Sequence, residues 1–170
     1  MRQSSALRAA TEIFFGNEYG MMDVKGKTVL DIGCSDGDTA VYFLLKGAKN
    51  VIGYDTYPEY GEFFNNTMKI NAMEDQAIFF AEEVKSLGDE IRRHHLKNAC
   101  LKMDCEGAEY PLLEKATDRE LMAFDEIIME YHREPEPLRN RLEKAGFTVK
   151  IAEGKLIMHA WRNAVTGPRR

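Results

Sequence analysis

The sequence has no apolar run approaching the roughly 20 residues that a membrane span requires. Met1–Ala10 lacks the continuous apolar core of a secretory signal. Cysteine is scarce: Cys34, Cys100 and Cys105 form an odd, scattered set without zinc-ligand spacing. They read as reduced thiols of a cytoplasmic protein. Positive charge is not in excess, since 23 Lys and Arg stand against 28 Asp and Glu for a net charge of −5. That balance argues against nucleic acid or an anionic membrane as the main partner. There is no internal repeat, no low-complexity segment and no visible domain boundary. What remains is a 170-residue chain, 44% hydrophobic and 30% charged, long enough for one domain with a sizeable core.

The chain is organised around Thr28–Thr39. Val29, Leu30 and Ile32 make a short apolar run with β-branched members, Gly33 and Gly37 supply a tight turn, and Ala40–Leu45 is a second apolar run of helical character. The pattern is strand, glycine loop, helix. Two glycines four apart let the backbone approach a ligand without a Cβ in the way, and a helix N-terminus offers free N–H groups. The third glycine of a dinucleotide fingerprint is missing. Asp31, two residues before the first glycine at the strand's end, suits a ligand with an ammonium or hydroxyl group better than a pyrophosphate.

The remaining elements follow in order. Ala6, Leu7, Ala10, Ile13 and Phe14 space as a helix over Ser4–Gly16. Strand signals recur at Asn50–Tyr54, Ala77–Ala81, Ala99–Met103 and Phe124–Met129, with helical patterns near 36–46, 58–73, 86–95 and from Leu138 to Ala145. His94 and His95 fall in a charged helix and are expected to be exposed. Phe147–Ile151 and Lys155–Trp161 flank Ala152-Glu153-Gly154, a hairpin signal. Thr166–Arg170 reads as a loose tail. Alternation of strand and helix predicts an α/β fold, doubly wound, with a mostly parallel seven-stranded sheet and a C-terminal antiparallel hairpin. The domain itself is expected over 27–161, preceded by a helix and loop over 1–26 and followed by a tail over 162–170.

In such sheets ligands bind at the carboxyl ends of the strands. Asp31, Asp55, Asp104 and Glu130 are all placed there, on four different strands. Asp55 lies 24 positions after Asp31, close to the roughly 20-residue offset at which an acid meets a ribose in nucleotide-binding βαβ units; a helix cap is its plainer role. Glu82, after the third strand, can accept an adenine amino group or be a solvated surface acid. Asp104, Glu106 and Glu109 pack three carboxylates into six residues around Gly107.

These residues resemble a known family. The order of elements and Asp31-Ile-Gly-Cys-Ser-Asp-Gly37 look like a class I S-adenosylmethionine-dependent methyltransferase. Leu101-Lys-Met-Asp-Cys-Glu-Gly-Ala-Glu109 resembles the Lys-Ile-Asp-x-Glu-Gly-x-Glu signature of the FkbM methyltransferases, and Ile128-Met-Glu-Tyr-His132 resembles their Glu-x-His element. The resemblance covers about 27–161. It implies that Gly33 and Gly37 flank the methionyl part of S-adenosylmethionine, with Asp31 near its amino group, Asp55 on the ribose and Glu82 toward the adenine. Cys34 and Ser35 depart from the commoner Ala and Asn, Asp55 from the commoner Glu, and the proline that usually follows closely is displaced to Pro58.

Methyl transfer from a sulfonium is an in-line displacement, so the protein must hold the acceptor against the methyl group and loosen the acceptor's proton. The candidates around the acceptor are Asp104, Glu106, Glu109, Glu130 and His132. His132 has the side chain that titrates nearest neutrality; a packed histidine at a strand end is the plainer reading. Crowded carboxylates raise one another's pKa values, so either one of them acts as base or a divalent metal neutralises the group. The expected acceptor is a small molecule or glycan presenting a hydroxyl oxygen, with an amine as the other choice. Its pocket would come from the N-terminal helix, the 54–61 loop with Tyr57 and Tyr60, Tyr110, or a second subunit of a homo-oligomer. A nicotinamide-dependent oxidoreductase and a non-catalytic cofactor-binding scaffold are the rival functions.

Overall fold

The computed structural model describes residues 11–162. Seven strands form one sheet: β1 (Thr28–Ile32), β2 (Asn50–Asp55), β3 (Ala77–Ala81), β4 (Ala99–Met103), β5 (Phe124–Glu130), β6 (Thr148–Ile151) and β7 (Ile157–Trp161). Their spatial order is β3-β2-β1-β4-β5-β7-β6. The first five pair in parallel, and β7 enters antiparallel between β5 and β6. This mostly parallel sheet with an antiparallel pair at one end is the Rossmann-like methyltransferase fold. β1 and β4, at its centre, read as unbroken buried strands because both faces are covered.

The pleat divides the core in two. Leu30, Ile32, Ile52, Tyr54, Leu101, Met103, Ile127 and Met129 point to one face. There they meet Leu87 of α3 (Leu87–Arg93), Leu112 and Leu113 of α4 (Glu109–Lys115), Leu121 of α5 (Asp118–Leu121), and Leu138 and Leu142 of α6 (Glu136–Lys144). Val29, Val51, Cys100 and Ile128 point to the other face. They are covered by α1 (Asp38–Leu45), by Phe64 and Met68 of α2 (Tyr60–Ile70), and by Ile13, Tyr19, Met22 and Val24. Each such apolar side chain contributes about 1.5–3 kcal/mol when fully buried. With helices on both faces, only the strand ends and their loops remain open to a ligand.

Several expectations are corrected. Of the N-terminal helix, 4–10 lie outside the described residues; Thr11–Phe15 forms a single π-helical turn, closed by Gly16 N–H donating to the Thr11 carbonyl at 2.9 Å. Phe14 sets its ring edge-on to Tyr42, 5.6 Å between centroids. The tail beyond Arg162 also lies outside the described residues. The helix around 58–73 is shorter, Tyr60–Ile70, and a 3-10 turn at Glu74–Gln76 leads into β3. α5 was not anticipated; Thr117 and Glu120 close a reciprocal capping box around its four residues. His94 is not exposed: its Nε2 lies 2.7 Å from the Tyr54 hydroxyl. His95 is exposed.

The three cysteines carry no disulfide. Among the described residues, no helix is long and apolar enough to cross a membrane.

Candidate active site

β1 and β4 are neighbours, and their crossovers leave in opposite directions, so the chain splays apart beyond their carboxyl ends. Gly33 turns the backbone there with φ +80°, and a Cβ on it would lie 1.8 Å from the Asp104 carbonyl oxygen. Only glycine lets the two strand ends come this close. The loop is then tied to β2: the N–H groups of Gly33 and Cys34 both donate to the Tyr54 carbonyl, at 2.8 and 3.1 Å. Gly37, also left-handed, opens α1 and packs under Phe64 and Met68.

A cavity of about 430 Å³ lies against these strand ends. Ile32, Gly33 and Ser35 line its floor. Tyr54, Asp55, Thr56, Tyr57, Tyr60 and Glu82–Val84 form one side, and Asp104–Glu106 with Ala108 and Leu112 form the other. Its size falls within the usual range for a small-molecule site, about 300–1,000 Å³. Asp55 is held in place by two backbone donors, Ser35 N–H to Oδ2 at 3.1 Å and Tyr57 N–H to Oδ1 at 3.0 Å. Each carboxylate oxygen keeps a free lone pair, because an ionised carboxylate offers about four acceptor sites.

The Glu82 side is built more heavily than the sequence suggested. Arg93 grips Glu82 through two hydrogen bonds, 2.9 and 3.2 Å, which hold the Glu82 carboxyl below its ordinary pKa. The same guanidinium lies 4.4 Å from the Phe80 ring centroid, and Phe80 stacks on Tyr54 at 5.0 Å. The Tyr54 hydroxyl donates to buried Glu90 and contacts His94. Burial raises the Tyr54 phenol's pKa and lowers that of His94. Tyr54, Arg93 and Ser35 were all missed as site residues. Tyr54 read as an ordinary strand aromatic, and the Arg93–Glu82 fork links residues 11 apart that no local pattern connects.

Asp31 is not brought to the cavity. Its strand continues through Ile32, and the pleat turns Asp31 to the face opposite Ile32, where it is wholly buried. There it lies 2.9 Å from the Lys102 ammonium and accepts a 2.5 Å hydrogen bond from Thr39. The cation it faces is therefore part of the chain. Lys102 also donates to the Gly33 carbonyl at 2.7 Å, bracing the loop from beneath. Burial opposes the Lys102 charge, but the attraction of Asp31, with Tyr19 and Asp104 adding, holds its pKa above the ordinary lysine value.

The structure does bring Asp104, Glu106, Glu109, Glu130 and His132 together. His132 Nε2 lies 3.7 Å from both Asp104 Oδ1 and Glu106 Oε2, and its Nδ1 lies 3.2 Å from Glu109 Oε1. One ligand atom each from Asp104, Glu130 and His132 falls within 4.8 Å of the others. Glu109 is fully buried at the start of α4 and accepts from the Cys105 N–H at 2.8 Å. Glu106, in a left-handed conformation at φ +55°, reaches into solvent. Burial, with the Asp104 charge adding, raises the Glu130 carboxyl above its usual range. Asp104 and Glu106 line the cavity; Glu130 and His132 stand beside Asp104, and Glu109 lies behind His132. Of the tyrosines, Tyr57 and Tyr60 line the cavity, whereas Tyr110 turns away to bond Arg133 N–H and the Glu134 carbonyl.

No family model matches the chain. Uncharacterized protein 158B of Sulfolobus islandicus rod-shaped virus 1 is 35% identical over 91 residues, 54% of this chain and 54% of that protein. Ribosomal protein L11 methyltransferase of Tolumonas auensis is 37% identical over 62 residues, 36% of this chain and 21% of that one. The chain thus spans about half the length of the first relative and a fifth of the second. Among solved structures, M. capricolum TrmK in complex with S-adenosyl-homocysteine matches with a TM-score of 0.66 at 11% identity, over 88% of this chain and 68% of that one. That likeness is one of fold.

Proposed function

We propose that the 27–161 unit transfers a methyl group from S-adenosylmethionine to an acceptor presented at the Asp104–Glu130–His132 corner. One observation carries this reading: a single cavity touches the glycine loop, the fixed carboxylate of Asp55, the Glu82–Val84 segment and Asp104. These are the groups that an amino-acid tail, a ribose, an adenine and a reacting methyl would need in turn. The fold shared with TrmK and the local identity to an L11 methyltransferase support it.

The residues present fit the ligand. Gly33 leaves room where a Cβ would reach Asp104. Asp55, oriented by two amides, accepts hydroxyl hydrogens of the ribose. Glu82, fixed by Arg93, borders the adenine end. Asp31 acts from below, through Lys102 and the Gly33 carbonyl rather than on the ligand. S-adenosylmethionine supplies an electrophilic methyl on sulfur. The chain's own task is to hold the acceptor in line and dispose of its proton, and Asp104, Glu130 and His132 are the groups placed to do so. Glu106 stands at the solvent rim of that corner, and Glu109 supports His132.

The resemblance of 101–109 and 128–132 to FkbM enzymes favours a hydroxyl oxygen on a small molecule or glycan as acceptor. The L11 enzyme acts on a ribosomal protein, so protein is the second class to screen, and RNA the third. The test is calorimetric titration with S-adenosylmethionine, S-adenosylhomocysteine and NAD, followed by transfer of radiolabelled methyl to each acceptor class. Binding of the first two ligands and not the third is expected. Binding of NAD alone would restore the oxidoreductase reading. Cofactor binding without transfer to any class would make the chain a scaffold.

A further inference from the structure

We propose that Asp104, Glu130 and His132 form a divalent-cation site, with Glu109 fixing the imidazole from behind. The inference deepens the proposed function by naming how the acceptor's proton is loosened, and it rests on that reading only for its purpose.

The three donors come from the ends of two adjacent parallel strands, β4 and β5, so the sheet itself sets their spacing. Two ligands bound at about 2.1 Å to one ion sit roughly 3–4 Å apart. His132 Nε2 and Asp104 Oδ1 are 3.7 Å apart, too far for a hydrogen bond and right for a shared ion. Glu130 completes the set within 4.8 Å.

The second observation is Glu109. A ligating histidine almost always presents its other ring nitrogen to a carboxylate, which fixes the tautomer and aims the free nitrogen at the metal. Glu109 stands on that side, with Oε1 3.2 Å from Nδ1 and no part of it exposed; the two are close without making a hydrogen bond, so Nδ1 is buried and unsatisfied until the ring turns onto the carboxylate. Its second oxygen, Oε2, is buried and meets no donor. An isolated buried carboxylate is costly unless positive charge stands near. No lysine or arginine among the described residues ion-pairs with Asp104, Glu106, Glu109 or Glu130; His132 is the partner that Asp104, Glu106 and Glu109 share, and Glu130 stands within 4.8 Å of it. The corner concentrates negative charge around one imidazole, and a bound cation supplies what the chain does not.

Two carboxylate oxygens suit a hard divalent ion, and the imidazole nitrogen favours a transition ion such as Mn²⁺ over Ca²⁺ or Mg²⁺, which take oxygen donors. Positions left open on the ion would face the cavity that Asp104 lines. An acceptor hydroxyl bound there would give up its proton more readily, as metal-bound water does.

The experiment is titration of the full chain, freed of metal by dialysis against a chelator, with Mn²⁺ alone, the free ion being read by electron paramagnetic resonance. One Mn²⁺ per chain is expected. Asp104→Asn and His132→Ala should each weaken binding at least about tenfold, and Glu109→Gln by about 10–100-fold. Glu114→Gln, an exposed acid in the last turn of α4, should leave it unchanged. Circular dichroism checks that each variant folds. Asp104→Asn, isosteric and part-exposed, carries the test if the buried Glu109→Gln does not. Absence of stoichiometric binding, or equal binding by wild type and Asp104→Asn, would overturn the site. Because no S-adenosylmethionine is present, that failure leaves the cofactor reading untouched, and failure of cofactor binding leaves the metal site standing.

Discussion

Asp31 and Lys102 stand side by side on β1 and β4, in register, with Lys102 Nζ 2.9 Å from Asp31 Oδ1 and both side chains sealed from solvent. A buried pair of this kind costs little or nothing to replace as a unit but much to break, because the survivor is left charged and unpaired. Lys102→Met should therefore lower stability by about 3–5 kcal/mol. Adding Asp31→Asn to it should recover most of that loss. Urea unfolding of the two single variants and the double variant measures the coupling. Additive losses would mean that the pair does not act as one.

The Gly33 turn makes a separate prediction. Gly33→Ala and Gly37→Ala both put a Cβ on a left-handed residue, at about 1–2 kcal/mol each. The Gly37 methyl would press on the ring edge of Phe64 and the end of Met68, which can yield. The Gly33 methyl would meet the Asp104 backbone carbonyl, which cannot yield without parting β1 from β4. Overpacking there should cost roughly another 1–3 kcal/mol and displace Asp104 from the cavity. Thermal melts rank the two variants, and S-adenosylmethionine titration should show the larger loss for Gly33→Ala. The reverse ranking would contradict the close approach.

Much of this was legible in the sequence, and all but one of the failures are long-range choices. β1 and β4 match their apolar runs because a strand covered on both faces leaves an unbroken local record; β3, half-exposed at the sheet's edge, matches through its run of Ile78, Phe79 and Phe80. The acids at 55, 104 and 130 were placed correctly beside strand ends. Asp31 was placed at an end too, but one further strand residue reverses the side chain's face, and its partner Lys102 lies 71 positions away. His94 looked like part of a charged surface helix; its burial depends on Tyr54, 40 positions earlier. α5 has a capping-box signature but only four residues, too few to show a period. The position of β7 between β5 and β6 is likewise a long-range choice that hairpin spacing does not reveal.

Asp38 makes stability depend on pH. Burial, with the Asp36 charge adding, pushes its carboxyl up to about 6 from 3.8. The folded state then binds more protons than the unfolded state across that interval, so this residue's contribution is greatest below about pH 4. It is lost as pH rises through about 6. Asp38→Asn, neutral throughout, should remove that component and gain on wild type as pH climbs from 4 to 7. Unfolding midpoints for both proteins across that range give the comparison; parallel curves would show that Asp38 titrates normally.

Asp55 provides the sharpest test of the cofactor site, because its role can be separated from its structural bonds. Asp55→Asn keeps the size of the side chain but offers one acceptor oxygen, so it cannot receive Ser35 N–H and Tyr57 N–H as the carboxylate does. Loss of a charge-assisted bond to a ribose hydroxyl is worth about 1.5–3 kcal/mol, roughly a 10–100-fold weaker Kd for S-adenosylmethionine. A distorted loop alone could weaken binding as much, so the ligand must be varied too. An S-adenosylhomocysteine analogue lacking the ribose hydroxyls should bind wild type more weakly by a similar factor, yet bind wild type and Asp55→Asn almost equally. That cycle isolates the contact between the carboxylate and the hydroxyls. If the analogue loses the full factor again on Asp55→Asn, the carboxylate serves the loop and the ribose is held elsewhere.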